Sequence, residues 1–204
     1  DKVNAKTSGY KAQKTIDGVE CLHNGKTLWK FNIANRESKP FIHPLCLPDG
    51  RCITDARPKD HPWHLGLWFC WKYINGVNYW EPRNPSMGNL FPDGMTVVKD
   101  FSINPKGGAC TVKLDLWYGP RATPGKVLLE EKRTINFSEP DANGRYTIRS
   151  THVFTAKDTI TIDCRRPVGY GGFSCRMKPF MRKFQMRGTG AQPSLRKNIG
   201  GPKE

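Results

Sequence analysis

"LGLWFCWKYINGVNYWE", residues 65 to 81, is the stretch that decides the fold. In an extended chain Leu65, Leu67, Phe69, Trp71 and Tyr73 fall on one side, and Trp68, Cys70 and Ile74 on the other. A strand apolar on both faces belongs in the middle of a packed sheet. Asn75-Gly76 then tolerates positive φ at both central positions of a tight turn, so "VNYWE" returns antiparallel to the strand before it.

The same grammar continues in both directions. "TLWKFNI" (27–33) alternates, with Trp29, Phe31 and Ile33 on one face, and "PDG" (48–50) is a turn. "MTVVKDFSIN" (95–104) runs to Lys106-Gly107-Gly108, and "CTVKLDLWY" (110–118) turns Val112, Leu114 and Leu116 inward. "KVLLEEKRTINF" (126–137) stops at "SEPDANG"; "RYTIRSTHVF" (145–154) spaces Tyr146, Ile148, His152 and Phe154 by two, and "TITIDC" (159–164) is shorter. Short strands divided by Gly, Pro, Asn and Asp clusters predict an all-β protein, an antiparallel β-sandwich or barrel. No amphipathic helix and no internal repeat interrupts this pattern. The expected organisation is an extension or first strand over 1–26 and a β-sandwich domain over 27–178. Residues 179–204 read as a basic Gly/Pro-containing tail, or as the start of an incomplete C-terminal part.

Composition narrows the classes. At 204 residues, 37% hydrophobic and 25% charged, the chain is globular rather than disordered. No apolar run is long enough for a membrane span, and the first residues hold no signal-peptide core, which leaves the compartment open. The net charge of +15 makes polyanions conceivable partners. Much of the excess sits in Arg176, Lys178, Arg182, Lys183, Arg187, Arg196, Lys197 and Lys203, however, so a solvated basic end explains it more simply than a nucleic-acid face. Seven cysteines, an odd number without a C-x-x-C pair, speak against a zinc ribbon or disulfide scaffold. Cys70, Cys110 and Cys164 read as small buried hydrophobes, and Cys46 and Cys52 flank a turn and could pair.

The residues before the decisive strand carry the chemistry. "RPKDHPWH" (57–64) places Asp60, His61 and His64 around Pro62, which a central strand tolerates poorly. A loop or bulge is therefore expected, and a loop allows both imidazoles to converge. Such a site could act as general acid and base on a sugar or hydroxy acid, with His61 and His64 as the working groups and Asp60 orienting an imidazole. The alternative from another class is a metal-dependent oxygenase or hydrolase with His61 and His64 as ligands. H-E-x-x-H is absent and no third ligand is evident, so no metal or other cofactor is assigned. A third reading is polyanion binding through the basic tail. The plainest alternative is that these side chains tie a loop to the sheet by hydrogen bonds. His43, Arg57, Asn75 and Glu81 complete the candidate ligand-contacting set. Trp68 and Trp71 are expected in the core, whereas Trp63 and Trp80, beside polar residues, are candidate platforms for a sugar ring. "PVGYGGFSCR" (167–176) is not a dinucleotide fingerprint; its glycines suit close backbone approach, with Arg165, Arg166 and Arg176 available to an anion.

The run of Asp60, His61, Pro62, His64, Gly66, Leu67, Trp68 and Phe69, followed by Asn75, Gly76 and Trp80, resembles the bacterial family labelled methane oxygenase PmoA, a PmoA-like domain of unknown function. "GYGGFSCR" resembles that family's glycine-rich strand. The likeness covers about residues 27 to 176, and 39–81 is its most specific part. It implies a galactose-mutarotase-like sandwich of the carbohydrate-processing kind, often secreted or periplasmic, and several further strands. It does not imply methane oxidation, since the membrane subunit of that name is helical. A carbohydrate or other small polar ligand is thus the expected partner.

Overall fold

The computed structural model describes residues 9–33, 39–83, 91–164 and 170–179. Thirteen antiparallel strands occur among them: β1 (Tyr10–Thr15), β2 (Gly18–His23), β3 (Lys26–Asn32), β4 (Phe41–Leu45), β5 (Leu67–Cys70), β6 (Tyr73–Ile74), β7 (Val77–Asn78), β8 (Gly94–Lys106), β9 (Ala109–Pro120), β10 (Leu129–Phe137), β11 (Ile148–Ala156), β12 (Ile162–Asp163) and β13 (Gly172–Cys175). They form a six-stranded sheet, β1-β2-β3-β4-β5-β13, a four-stranded sheet, β11-β10-β9-β8, and a small sheet, β12-β6-β7. The expected all-β antiparallel architecture is therefore present. β1 and β2, from the segment set apart as 1–26, are full members of the large sheet. The basic stretch from 180 to 204, and with it the polyanion reading, lies outside the described residues, as do Arg165 and Arg166.

The two larger sheets close over one core because their alternation is in phase. Cys110, Val112, Leu114 and Leu116 of β9 meet Val19, Cys21, Trp29 and Phe31 of the opposing sheet. Trp29 stacks on Phe137 of β10 with ring centroids 4.0 Å apart. A side chain of that size contributes roughly 1.5–3 kcal/mol when removed from water, so a few such pairs outweigh any single turn.

The decisive stretch departs from one continuous strand. β5 is internal, between β4 and β13, as its two apolar faces require. It ends at Cys70, and the chain turns before β6 joins the small sheet. At the break the Lys72 side chain is buried, and its ammonium pairs with Glu81. Trp71 is only half-buried, and Cys164 is exposed rather than in a core, because β12 is a two-residue exposed strand that ends before it. Cys46 and Cys52 form a disulfide across their turn.

The Asn75-Gly76 hairpin forms, with φ of 51° and 74°. Asn75 also donates from Nδ2 to the Thr159 carbonyl (3.2 Å) and accepts at Oδ1 from the Thr161 N–H (2.7 Å), pinning β12 to the hairpin. Asn75→Ala loses both bonds and a residue tolerant of positive φ. The expected cost is about 1–2 kcal/mol in urea unfolding, with the fold retained.

Candidate functional site

The site is built by the connection between β4 and β5. Its first part is pinned to the segment that follows β13: the Asp55 N–H donates to the Arg176 carbonyl (2.8 Å), and the Lys178 N–H to the Ile53 carbonyl (2.9 Å). Arg57, in a left-handed conformation (φ 55°), donates its N–H to the His64 carbonyl at 2.7 Å and closes the loop. Inside it, the His61 N–H reaches the Pro58 carbonyl and the His64 N–H the His61 carbonyl, both at 3.0 Å. His61-Pro62-Trp63-His64 is thus a β-turn with proline at its second position, where the fixed φ suits the turn. This turn overrides the strand rule that would part residues three apart. The two imidazoles stack, centroids 4.7 Å apart and planes 21° from parallel.

Asp60 and His61 form a dyad at the rim. His61 Nδ1 and Asp60 Oδ2 are 2.8 Å apart, and the Arg176 guanidinium holds Asp60 from the other side (Nη2 to Oδ1 3.1 Å, to Oδ2 3.0 Å). The bond from His61, assisted by Arg176, brings the Asp60 carboxyl down to about 2. With Asp60 ionised, His61 donates from Nδ1, so its Nε2 lone pair is left for a ligand or a proton. The His61 side chain is 39% exposed and Asp60 57% exposed, so both are open to solutes.

His64 lies beneath, against Trp63, Trp68 and Trp80. Both of its ring nitrogens are buried with no hydrogen-bond partner among the described residues. Burial, reinforced by the charges of His61 and Arg176, pushes its pKa down to about 4. The unfolded imidazole has a pKa near 6.5. As pH falls, the unfolded chain therefore takes up this proton first, and stability is lost from pH 6.5 down toward 4. Allowing for solvent screening of a partly exposed ring, about 1–2 kcal/mol is at stake. Urea titrations at pH 7 and pH 4.5 should show a smaller loss in His64→Phe than in the parent; equal losses would refute this reading.

Lys39 was not anticipated. Its buried ammonium donates to the Trp80 carbonyl at 2.6 Å and lies 5.8 Å from the Trp80 ring centre, and burial lowers its pKa. Nothing local in "SKPFI" signals this role.

The remaining candidates fall elsewhere. His43 Nδ1 shares a 3.0 Å hydrogen bond with Thr54 Oγ1, and burial lowers its pKa; no described contact joins it to His61 or His64. Glu81 is engaged by Lys72, and Asn75 is the turn residue described above. Arg57 is exposed, its guanidinium 6.0 Å from the Phe41 ring. Trp80 corrects the expectation of a platform: it is 4% exposed, packed against Trp68 and Tyr170, and has no face for a sugar. Trp63, half-buried and edge-on to His61 at 5.3 Å, keeps that possibility. Among the described residues no three His, Cys, Asp or Glu side chains are grouped to hold a metal ion. Stacked rings direct their in-plane lone pairs in parallel rather than at one point, so His61 and His64 do not fit a shared metal.

A second polar cluster lies between the two large sheets and was missed. Glu131 and Arg133 occupy the inward parity of β10, beside Leu129, Ile135 and Phe137. Arg133 donates to Glu131 from Nε (2.6 Å) and Nη2 (2.9 Å); Tyr118 donates its hydroxyl to Glu131, and His152 Nδ1 lies 2.7 Å from Glu131 Oε1. Burial alone would raise the Glu131 carboxyl, but the bonds from His152 and Arg133 outweigh it and hold the group at about 2. Two charged residues in phase with apolar neighbours are a legible signal in "LEEKRTINF".

A family model described as a family of unknown function, DUF6807, matches residues 18–199. It carries neither a PmoA label nor a mutarotase-like assignment. No curated protein and no solved structure matches the chain. Among the described residues no helix is long and apolar enough to cross a membrane.

Proposed function

Since the chain belongs to DUF6807, a family without an established function, we propose from its own geometry that the Asp60–His61 rim binds a carbohydrate or similar polyhydroxylated ligand, with His61 as acid or base. The observation that carries this reading is the dyad itself: an ionised carboxylate on Nδ1, an outward imidazole, and an arginine fixing the carboxylate. Such an arrangement sets the tautomer and lets Nε2 exchange a proton with a hydroxyl. Trp63 supplies an apolar edge beside it, and the unmet polar atoms of His64 lie directly beneath. The sugar class is favoured by the likeness of the Asp60–Phe69 run to PmoA-like proteins and by the mutarotase-like sandwich that likeness implies.

Titration calorimetry of the whole chain against a panel of mono- and oligosaccharides tests it. Binding should fall at least tenfold in His61→Ala and in Trp63→Ala and stay unchanged in His43→Ala. No binding by the parent, or binding indifferent to His61→Ala, rejects the proposal.

A further inference from the structure

We propose that the cleft between the two large sheets is a second, separate site, in which Ser150 is a nucleophile toward a short-chain carboxylic ester. Ser150 and His152 are two apart on β11 and so share its inward face. Ser150 Oγ lies 2.7 Å from His152 Nε2, and His152 Nδ1 lies 2.7 Å from Glu131 Oε1. Glu131 is buried and accepts only, so it draws the imidazole proton to Nδ1. The Nε2 lone pair then faces the serine hydroxyl. This is the nucleophile, base and orienting carboxylate order that acyl transfer requires, and it is recognised by geometry rather than by fold. The ring packs against Phe69, with centroids 4.5 Å apart, and Phe154, at 6.0 Å, which also contact each other at 5.7 Å.

Both Ser150 and His152 line the cleft, whose walls include Leu67, Phe69, Ile148 and Phe173. Phe173 is 58% exposed on β13, which puts it at the mouth. The apolar walls suit an uncharged acyl group rather than a charged one. Arg133, the cation among the described lining residues, is held by Glu131 and the Tyr118 hydroxyl and keeps the carboxylate ionised. In the reaction Ser150 Oγ bonds to the ester carbonyl carbon while its proton passes to His152 Nε2. That proton then goes to the departing alkoxide as the ester C–O bond breaks. Water, deprotonated by the same imidazole, cleaves the acyl-serine and restores the hydroxyl, so ester and water become acid and alcohol.

The test uses p-nitrophenyl acetate and a small fluorophosphonate, with peptide mass spectrometry of the labelled chain. Phosphonylation at Ser150, with release of fluoride, is expected in the parent. Ester turnover should drop at least about 100-fold in Ser150→Ala and in His152→Gln. Ser150→Ala removes one small half-buried hydroxyl, and a thermal melt matching the parent verifies its fold. An unlabelled parent, or turnover unchanged in a folded Ser150→Ala, overturns the proposal and identifies the relay as structural. Sugar binding at Asp60–His61 is read separately and is unaffected by either result.

Discussion

Leucine in place of Glu131 is expected to destabilise the fold by about 3–5 kcal/mol, because it strands a buried guanidinium. Arg133 is 2% exposed and spends its bonds on Glu131 and the Tyr118 hydroxyl. Without the carboxylate its charge stays in the core with no counter-charge, and Tyr118 and His152 each lose an acceptor. The double variant Glu131→Leu/Arg133→Met should recover most of the loss, since replacing both partners by apolar groups is often neutral. A double variant no more stable than the single one would mean that the pair is not the unit described. The pH dependence follows from the same carboxyl. Its folded pKa of about 2 lies below the ordinary 4.5, so its contribution is complete above pH 4.5 and is lost as pH falls toward 2. Acid unfolding midpoints of the parent and the double variant, compared over that window, check the sign.

Gly66→Ala should have an effect of similar size by a different route. Gly66 has φ of +83°, and a Cβ there would lie 2.6 Å from the Ile42 carbonyl oxygen and 2.8 Å from His43 Cβ. Strain at positive φ and the backbone clash each cost about 1–3 kcal/mol, so about 3 kcal/mol or more is expected. The damage reaches the rim, because the Gly66 carbonyl accepts from the Arg176 N–H at 2.7 Å and Arg176 holds Asp60. Urea unfolding gives the stability, and the His61 imidazole spectrum reports the dyad. A variant with both unchanged would show that β4 and β5 do not approach as described.

These two residues illustrate what could be read in the sequence. The alternation of β9 and the Asn-Gly hairpin are local patterns with local causes, and they appear where the periodicity puts them. The convergence of His61 and His64 was also legible, because Pro62 rules out a regular central strand. The rest depended on partners distant in sequence. Lys72 can be buried at the break in the decisive stretch because Glu81 comes back to meet it. Trp80 looks like a platform until Trp68 and Tyr170 cover it. His43 and Glu81 read as companions of His61, but Thr54 and Lys72 engage them. The Glu131–His152–Ser150 relay was visible as parity in two strands. Only the pairing of β10 with β11, which sets Arg133 opposite His152, makes it a cluster.

What everything at the rim requires is that the turn after Pro58 gives its two imidazoles different fates. Nitrogen-15 NMR of the histidine rings, followed from pH 8 to pH 3.5, reads this directly. The expected result is a His61 ring protonated at Nδ1 in its neutral form, a tautomer relaxed by Asp60→Asn, and a His64 ring that stays neutral until about pH 4. A His61 protonated at Nε2, together with a His64 that titrates like a free imidazole, would contradict it.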